Sequence, residues 1–271
     1  MVREGERQLR ASTSSRLDAE LLASHVRGCD RIAIYRDPNA PVTTRQRQFF
    51  AKLTAARALG QPIAQLIGGT EFWSLPFAID TNVLIPRPET ESLVATALEL
   101  IPTTRASVIA DLGTGSGAVA IVLALERPQA AVIATDLSRQ ALTIARRNRE
   151  VHKVPHVLLL RANWMAALVD SKFDLIASNP PYVCCDDPLL LNSDIRFEPH
   201  EALAAGADGL DHVRTIVDEA PRRLKRGGYL LIEHGYNQAH EVRQLFAGRG
   251  FQGITTNRDL AGIERVTYGH T

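Results

Sequence analysis

The stretch Asp111-Leu112-Gly113-Thr114-Gly115-Ser116-Gly117 decides the fold. It follows the apolar segment SVIADL and precedes the apolar run Ala118 to Leu125. Its three glycines allow the backbone to turn tightly and a ligand to approach closely. Ligands of open parallel sheets bind beyond the carboxyl ends of the strands. A glycine-rich turn between a strand and a helix therefore indicates a site for a nucleotide-like cofactor, and we call residues 111–117 the glycine loop.

Strands and helices alternate on both sides of the glycine loop. The predicted strands are SVIADL, AVIATD, VLLLRAN, FDLIAS, GYLLIEHG and ERVTYGH. The predicted helices are Ala118–Leu125, Arg139–Val151, Asp211–Leu224 and Gln238–Phe246, and Pro221 should kink or interrupt the third. Continuous apolar strands separated by helices indicate an α/β fold, with a mostly parallel sheet covered on both faces.

The residues before this alternation have a different pattern. An apolar stripe from Leu17 to Val26 and a stretch from about Thr44 to Leu59 predict helices. From Phe72 to Pro88, aromatic and β-branched residues alternate with proline and polar residues, which predicts a hairpin. We therefore expect a helical domain at residues 1–71, a β-hairpin connector at 72–88 and the α/β domain at 89–271.

The glycine loop leaves two cofactor classes open. Its spacing is G-x-G-x-G, whereas a nicotinamide dinucleotide site typically has G-x-G-x-x-G. Asp136 ends the second strand of the α/β domain, where a carboxylate can bind both ribose hydroxyls of either cofactor. The loop spacing favours a methyl donor over NAD. A purely structural turn is the third interpretation.

Asn179-Pro180-Pro181-Tyr182 follows the strand FDLIAS and so lies at the same sheet edge as the glycine loop. The prolines donate no backbone hydrogen bonds, which leaves the Pro180 carbonyl free to accept one. The Asn179 side-chain oxygen is a second acceptor, and Tyr182 supplies a flat ring. Two acceptors beside a flat surface suit a planar NH2 group attached to a π system. The alternative is an ordinary proline-rich turn.

Composition excludes several classes of protein. The 271 residues include 31 Lys and Arg against 30 Asp and Glu, so there is no net basic charge of the kind that nucleic-acid wrapping requires. Three cysteines are too few for a disulfide framework. The spacing of His152 and His156 resembles a metal-binding pair, but Pro155 argues against a continuous helix there. With no apolar leader or membrane-length apolar run, we expect a cytoplasmic protein that binds neither metal nor membrane.

The glycine loop, Asp136 and Asn179–Tyr182, together with two further segments named below, resemble the bacterial release factor glutamine N5-methyltransferases, the PrmC/HemK family. The resemblance covers nearly the whole chain, from SSRLDAELL near the start to ERVTYG at the end. The sequence Asn179 to Tyr182 is shared with amino-methyltransferases that act on DNA bases. The segments IPRPETE (Ile85–Glu91) and RFEP (Arg196–Pro199) are more specific to the glutamine enzymes.

The resemblance implies a seven-stranded S-adenosylmethionine methyltransferase sheet, a small helical N-terminal domain, and class I peptide chain release factors as the protein substrate. Asn179 would touch both cofactor and substrate, Pro180, Pro181 and Tyr182 would touch the substrate, and Asn179, Pro180 and Tyr182 would carry the catalysis. The residues implied to contact the cofactor are Gly113, Thr114, Gly115, Ser116, Gly117, Asp136, Trp164 and Asn179.

One position departs from the family pattern, and one alternative function remains. Relatives commonly have an acid just before Trp164, where this chain has Asn163, so somewhat weaker cofactor binding is expected. Arg87, Glu89 and Arg196 either orient the site or are ordinary ion-paired residues. The alternative function is a DNA N6-adenine or N4-cytosine methyltransferase, or an RNA guanine-N2 methyltransferase. Such an enzyme would need a basic groove and a base-flipping surface.

Overall fold

The computed structural model describes residues 1–104, 106–168, 172–192 and 194–271. Its N-terminal part is helical, with both predicted helices confirmed at α2 and α4. The side chain of Thr43 caps α4 by accepting a hydrogen bond from Gln46 N, and the Gln46 side-chain oxygen accepts one from Thr43 N. The helices are α1 Val2–Gln8, α2 Ser15–Arg27, α3 Arg31–Arg36, α4 Thr44–Ala58 and α5 Ile63–Ile67. Leu22, Ile34, Phe50 and Leu53 form the buried core between them.

A two-stranded hairpin follows, formed by β1 Gly69–Phe72 and β2 Leu75–Ala78. It begins at Gly69, before the predicted connector boundary at Phe72. Trp73 and Ser74 both have positive φ angles, of 54° and 56°, which is the backbone that a tight two-residue hairpin turn requires. The second half of the predicted connector, after Ala78, contains no strand. The aromatic and β-branched pattern there therefore marks burial of Ile79, Val83 and Ile85 rather than strand pairing.

The rest of the chain builds a seven-stranded sheet with helices on both faces. Its strands are β3 Val108–Leu112, β4 Ala131–Asp136, β5 Leu158–Arg161, β6 Phe173–Ser178, β7 Leu224–Glu233, β8 Gln252–Arg258 and β9 Glu264–His270. Their order in space is β5-β4-β3-β6-β7-β9-β8. The first five are parallel, and β9 runs antiparallel to both β7 and β8. The predicted fold class, a mostly parallel sheet of seven strands, is confirmed.

The helices of this domain are α6 Glu91–Leu100, α7 Ala118–Glu126, α8 Arg139–Val151, α9 Leu189–Asn192, α10 Asp211–Arg223 and α11 Ala239–Gly248. Side chains of α6 and α7 pack on one face of the sheet, and side chains of α10 and α11 pack on the other. The helix is not interrupted at Pro221. Pro221 lies in the last turn of α10, and the helix continues to Arg223.

The parallel strands β3, β4, β6 and β7 end at one edge of the sheet. The glycine loop follows β3, and Asn179 follows β6. Asp136 ends β4, and Glu233 ends β7. The fold therefore brings four separate chain segments to the edge where ligands of open parallel sheets bind.

Candidate active site

The glycine loop has the backbone that its glycines predict. Gly113, Gly115 and Gly117 have positive φ angles of 70°, 54° and 83°, which other residues rarely adopt. A Cβ atom on Gly113 would lie 3.1 Å from Cζ3 of Trp164, so a larger residue there would crowd the Trp164 ring. The loop is anchored to the next strand, because Gly113 N and Thr114 N both donate to the Thr135 carbonyl at 2.9 Å.

Asp111 holds the loop from beneath. Its carboxylate accepts hydrogen bonds from the Thr114 hydroxyl at 2.6 Å and from Ala120 N at 3.2 Å. Burial raises the pKa of Asp111 to about 6, and the Thr114 hydrogen bond opposes that rise. Thr114, predicted to contact the cofactor, therefore uses its hydroxyl to brace the loop.

Asp136 faces the glycine loop from the end of β4. One carboxylate oxygen accepts from Gly115 N and the other from Ser138 N, each at 2.8 Å. Burial raises the pKa of Asp136, and the hydrogen bonds from the Ser138 and Gly115 amides oppose that rise. A carboxylate held by backbone amides at this position is suited to accept hydrogen bonds from a ribose diol.

A cavity of about 760 Å³ opens at this edge of the sheet, within the size range of small-molecule sites. Five of the predicted site residues line it: Gly113, Gly115, Asp136, Trp164 and Asn179. The remaining predicted residues, Thr114, Ser116, Gly117, Pro180, Pro181 and Tyr182, are not part of its wall. The structure thus separates residues that face the cavity from residues that shape or flank it.

The wall of the cavity also contains residues that the sequence did not predict. Three segments contribute to it: residues 81–84 of the connector, residues 137, 138, 140 and 141 around the start of α8, and residues 199–202 with 204. His212 of α10 also lines the cavity, with its ring 5.2 Å from the Trp164 ring. Apart from Pro199, which ends the RFEP segment, no short motif marks these positions, because the chain reaches the cavity there only through tertiary folding.

Asn148 is a further residue that the sequence analysis missed. It is buried on α8, and its amide nitrogen donates to Ser116 O at 2.8 Å and to Ala78 O at 3.1 Å. Its oxygen accepts from Ala78 N at 2.7 Å. The side chain therefore ties the glycine loop to the hairpin. The signal available in the sequence was a polar residue on the apolar face of an amphipathic helix.

The Asn179–Tyr182 segment is fixed at the end of β6. Ser178 Oγ donates to Leu112 O at 2.8 Å, which joins this strand end to the start of the glycine loop. Asn179 Nδ2 donates to Thr90 Oγ1 at 3.1 Å. Asn179 Oδ1 is buried and has no hydrogen-bond partner within the described residues. Such an acceptor costs free energy unless a ligand satisfies it, so it indicates a binding position for a donor group.

Glu233 lies behind Tyr182 and is almost completely buried. The Tyr182 hydroxyl is 3.5 Å from Glu233 Oε1. Burial raises the pKa of Glu233 to about 7, and the Thr90 hydroxyl opposes that rise. Burial also raises the pKa of Tyr182, with the Glu233 charge adding to the effect. Tyr182 therefore stays neutral at physiological pH.

The segments Ile85–Glu91 and Arg196–Pro199 bind each other through Glu198. This buried carboxylate accepts from Ile85 N at 2.8 Å and pairs with the Arg87 guanidinium. Burial raises the pKa of Glu198, and the charge of Arg87 is the largest influence opposing that rise. Arg87 is therefore ion-paired with Glu198. Glu198 itself was not predicted as a functional residue.

The N-terminal helices contact the same segment. Arg57 of α4 bridges Asp18 at 2.8 Å and Asp194 at 2.7 Å. Gln65 Nε2 donates to Phe197 O at 3.0 Å, and Arg196 donates to the Leu59 carbonyl. The helical part of the chain is thus joined by side chains to a segment that reaches the cavity wall at Pro199.

Comparison with known proteins identifies the family. Residues 92–187 match the methyltransferase small domain, and residues 1–68 match the PrmC N-terminal domain. A curated protein of Xylella fastidiosa strain Temecula1, named release factor glutamine methyltransferase, is 45% identical over 94% of this chain and 92% of its own length. This chain belongs to the release factor glutamine methyltransferase family. Relatives of the same name from Escherichia coli K12 and Pseudomonas aeruginosa are 42% and 45% identical and cover 99% and 97% of the chain, or 96% and 95% of their own lengths.

Solved structures of more distant proteins agree on the fold of this family member. A methyltransferase from Pyrococcus furiosus aligns with a TM-score of 0.56, at 16% identity, over 84% of this chain and 98% of that protein. The hMettl16 catalytic domain aligns with a TM-score of 0.60, at 18% identity, over 80% of this chain and 81% of that one. These likenesses confirm a methyltransferase fold. None of the described helices combines the length and apolar character that crossing a membrane requires.

Proposed function

We propose that this chain methylates the side-chain amide nitrogen, N5, of the glutamine in the Gly-Gly-Gln motif of class I peptide chain release factors. S-adenosylmethionine is the methyl donor. The observation that carries the proposal is the Asn179 side chain, which lines the cavity and has a buried oxygen without a hydrogen-bond partner among the described residues. The names of the relatives point to the same substrate.

The residues around the cavity fit S-adenosylmethionine. The Asp136 carboxylate would accept hydrogen bonds from the ribose hydroxyls, and the Trp164 ring would contact the adenine. Gly113 and Gly115 keep the loop free of side chains where the cofactor would pass close to the backbone. Asn163, in place of the usual acid, also lines the cavity, and its amide oxygen can accept from an adenine amino group.

The residues of this chain orient the substrate nitrogen. When bound, S-adenosylmethionine supplies an electrophilic methyl group, so the protein has no need to activate it further. An amide nitrogen is a poor nucleophile because its lone pair is delocalised into the carbonyl group. Hydrogen bonds from its two N–H groups to Asn179 Oδ1 and the Pro180 carbonyl would fix the nitrogen with its lone pair facing the methyl group. Such positioning can contribute up to about 7–11 kcal/mol to lowering the barrier.

The proposal is tested with three acceptors and labelled S-adenosylmethionine. We expect a release factor to accept the methyl group, and a release factor in which the Gly-Gly-Gln glutamine is replaced by alanine to accept none. Duplex DNA is the third acceptor, because DNA base methyltransferases share the Asn-Pro-Pro-Tyr sequence. Transfer to DNA at a rate comparable with transfer to the release factor would overturn the proposal.

We further propose that residues 1–71 bind the release factor at a distance from its glutamine. Two observations support this role. Large apolar side chains are exposed on the N-terminal helices, among them Ile32 at 66% and Phe49 at 44%. The same helices hold the 194–197 segment through Arg57 and Gln65. Contacts remote from the reacting atom can hold a protein substrate in place.

Charged substitutions on the exposed surface test this docking role without deleting any helix. Ile32→Asp and Phe49→Asp should raise KM for an intact release factor and leave methylation of a short Gly-Gly-Gln peptide unchanged. The matched control is Leu260→Asp, because Leu260 is a fully exposed apolar residue between β8 and β9. Equal KM values for the release factor in all three variants and the unsubstituted chain would contradict the docking role.

A further inference from the structure

Thr90 lies where three motif segments meet. It belongs to Ile85–Glu91, directly precedes α6 and is 4% exposed. Its hydroxyl oxygen accepts a hydrogen bond from Asn179 Nδ2 at 3.1 Å. The Glu233 carboxylate, at the end of β7, is close enough for the Thr90 hydroxyl to lower its pKa, and its buried Oε2 atom has no hydrogen-bond partner among the described residues. Thr90 therefore stands between the amide of Asn179 and a buried acidic group.

The Asn179 amide works as a substrate acceptor in only one of its two orientations. With Oδ1 toward the cavity, it can accept from the substrate NH2 group. Rotated by half a turn, it would present its own NH2 group, and two donors would face each other. The two ends of the amide have nearly the same shape, so packing alone discriminates weakly between them. A hydrogen-bonding neighbour has to select the orientation.

The hydroxyl of Thr90 can make that selection because it carries a single proton. If the proton points to the Glu233 carboxylate, only lone pairs remain for Asn179, and Asn179 must then turn Nδ2 toward Thr90. Its oxygen consequently faces away from Thr90. The observed arrangement has this form, with Nδ2 on Thr90 and Oδ1 free of protein partners among the described residues.

We propose that Thr90 and Glu233 are positioning residues that set the orientation of the Asn179 amide for the methyl-transfer reaction. The inference rests on the proposed function, because it assigns Asn179 Oδ1 to the substrate NH2 group. It explains why Ile85–Glu91, Asn179–Tyr182 and the Glu233-His234-Gly235 segment converge. Neither Thr90 nor Glu233 needs to touch the substrate.

A change of pH should act on this arrangement through Glu233. The groups that face its carboxylate are Tyr182, Thr90, Arg265 on β9 and Glu89 before α6. Burial raises the pKa of Glu233 to about 7. Once protonated, Glu233 becomes a donor, and the Thr90 proton is released to point at Asn179. The amide then loses its preference for the productive orientation, so kcat should fall as pH drops below about 7.

The decisive variant is Thr90→Val, which keeps the shape of the side chain and removes the hydroxyl. Its matched control is Thr96→Val on α6, because Thr96 is also buried and also accepts from an asparagine, Asn257 Nδ2 at 2.9 Å. In an enzyme already shown to methylate a release factor, we expect Thr90→Val to lower kcat at least about tenfold, with unchanged affinity for S-adenosylmethionine. Thr90→Ser should restore most of the rate, and Thr96→Val should leave it unchanged.

The outcomes separate this inference from the proposed function. If the unsubstituted chain methylates no release factor, the proposed function fails. If it does so and Thr90→Val turns over as fast as Thr96→Val, only the positioning role fails. Glu233→Gln supplies a second test that is independent of Thr90 variants. Its kcat should no longer fall between pH 8 and pH 6, and an acidic decline like that of the unsubstituted chain would overturn the role of Glu233.

Discussion

Replacing Asn179 with alanine should slow methyl transfer much more than it weakens cofactor binding. The substitution removes the buried Oδ1 acceptor, which has no protein partner among the described residues to lose. The substrate nitrogen gains positive charge as it attacks the methyl group, so the hydrogen bond to Oδ1 strengthens in the transition state. A hydrogen bond to a charged group contributes about 1.5–3 kcal/mol. Since 1.4 kcal/mol is a factor of ten, kcat should fall roughly 10- to 150-fold.

Single-turnover methylation of a saturating release factor measures this effect, and calorimetry measures the affinity for S-adenosylmethionine. Asn163→Ala is the matched control, because Asn163 is another asparagine on the cavity wall but lies outside the Asn179–Tyr182 segment. We expect that control to alter cofactor affinity and to leave the rate of the chemical step nearly unchanged. A similar loss of rate in both variants, or a near-normal rate in Asn179→Ala, would refute the reasoning.

Three other results are expected. Asp136→Ala should weaken S-adenosylmethionine binding more than tenfold, a loss of over ~1.4 kcal/mol by calorimetry, and equal affinity would remove Asp136 from the site. Gly115→Ala should also weaken binding of S-adenosylmethionine, because the φ of 54° at this position strains any residue with a Cβ. Unaltered binding with an intact fold would contradict the requirement for glycine at position 115. Burial raises the pKa of Glu233 from 4.5 to about 7, so the folded state favours the protonated carboxyl. The resulting contribution to the free energy of unfolding is complete below pH 4.5 and is lost as pH rises through 7. We therefore expect Glu233→Gln to raise the free energy of urea unfolding above that of the unsubstituted chain, by up to roughly 3 kcal/mol more at pH 8 than at pH 5. The same difference between the two proteins at both pH values would contradict this.

The central strands and the glycine loop were predictable because their signals are local. Continuous apolar runs identify β3, β4 and β6, and a glycine is the simplest way to supply a positive φ after a strand. Strand β8 was missed. Its sequence, QGITTNR, has no apolar run, because it lies at the sheet edge and is only partly buried. The hairpin was found but placed too late, since its first strand opens with Gly69 and Thr70 rather than with aromatic residues.

The residues that support the site were harder to predict. Asn148 and Thr90 each form a hydrogen bond with a segment far away in the chain, and Glu233 lies 3.5 Å from the distant Tyr182 hydroxyl. Single positions of this kind carry no spacing pattern. Glu198 stood within the RFEP segment, but its binding to Ile85 N depends on how the connector folds. Sequence patterns thus identify residues at strand ends, whereas their hydrogen-bonding neighbours emerge only from the tertiary structure.

The central claim is that the methyl group is transferred to a glutamine side-chain amide. Tandem mass spectrometry of a release factor after incubation with this enzyme and S-adenosylmethionine tests it most directly. We predict one added methyl group, located on the side chain of the Gly-Gly-Gln glutamine, and none on a release factor in which glutamate replaces that glutamine. A methyl group on any other residue, or one that persists in the glutamate form, would contradict the account.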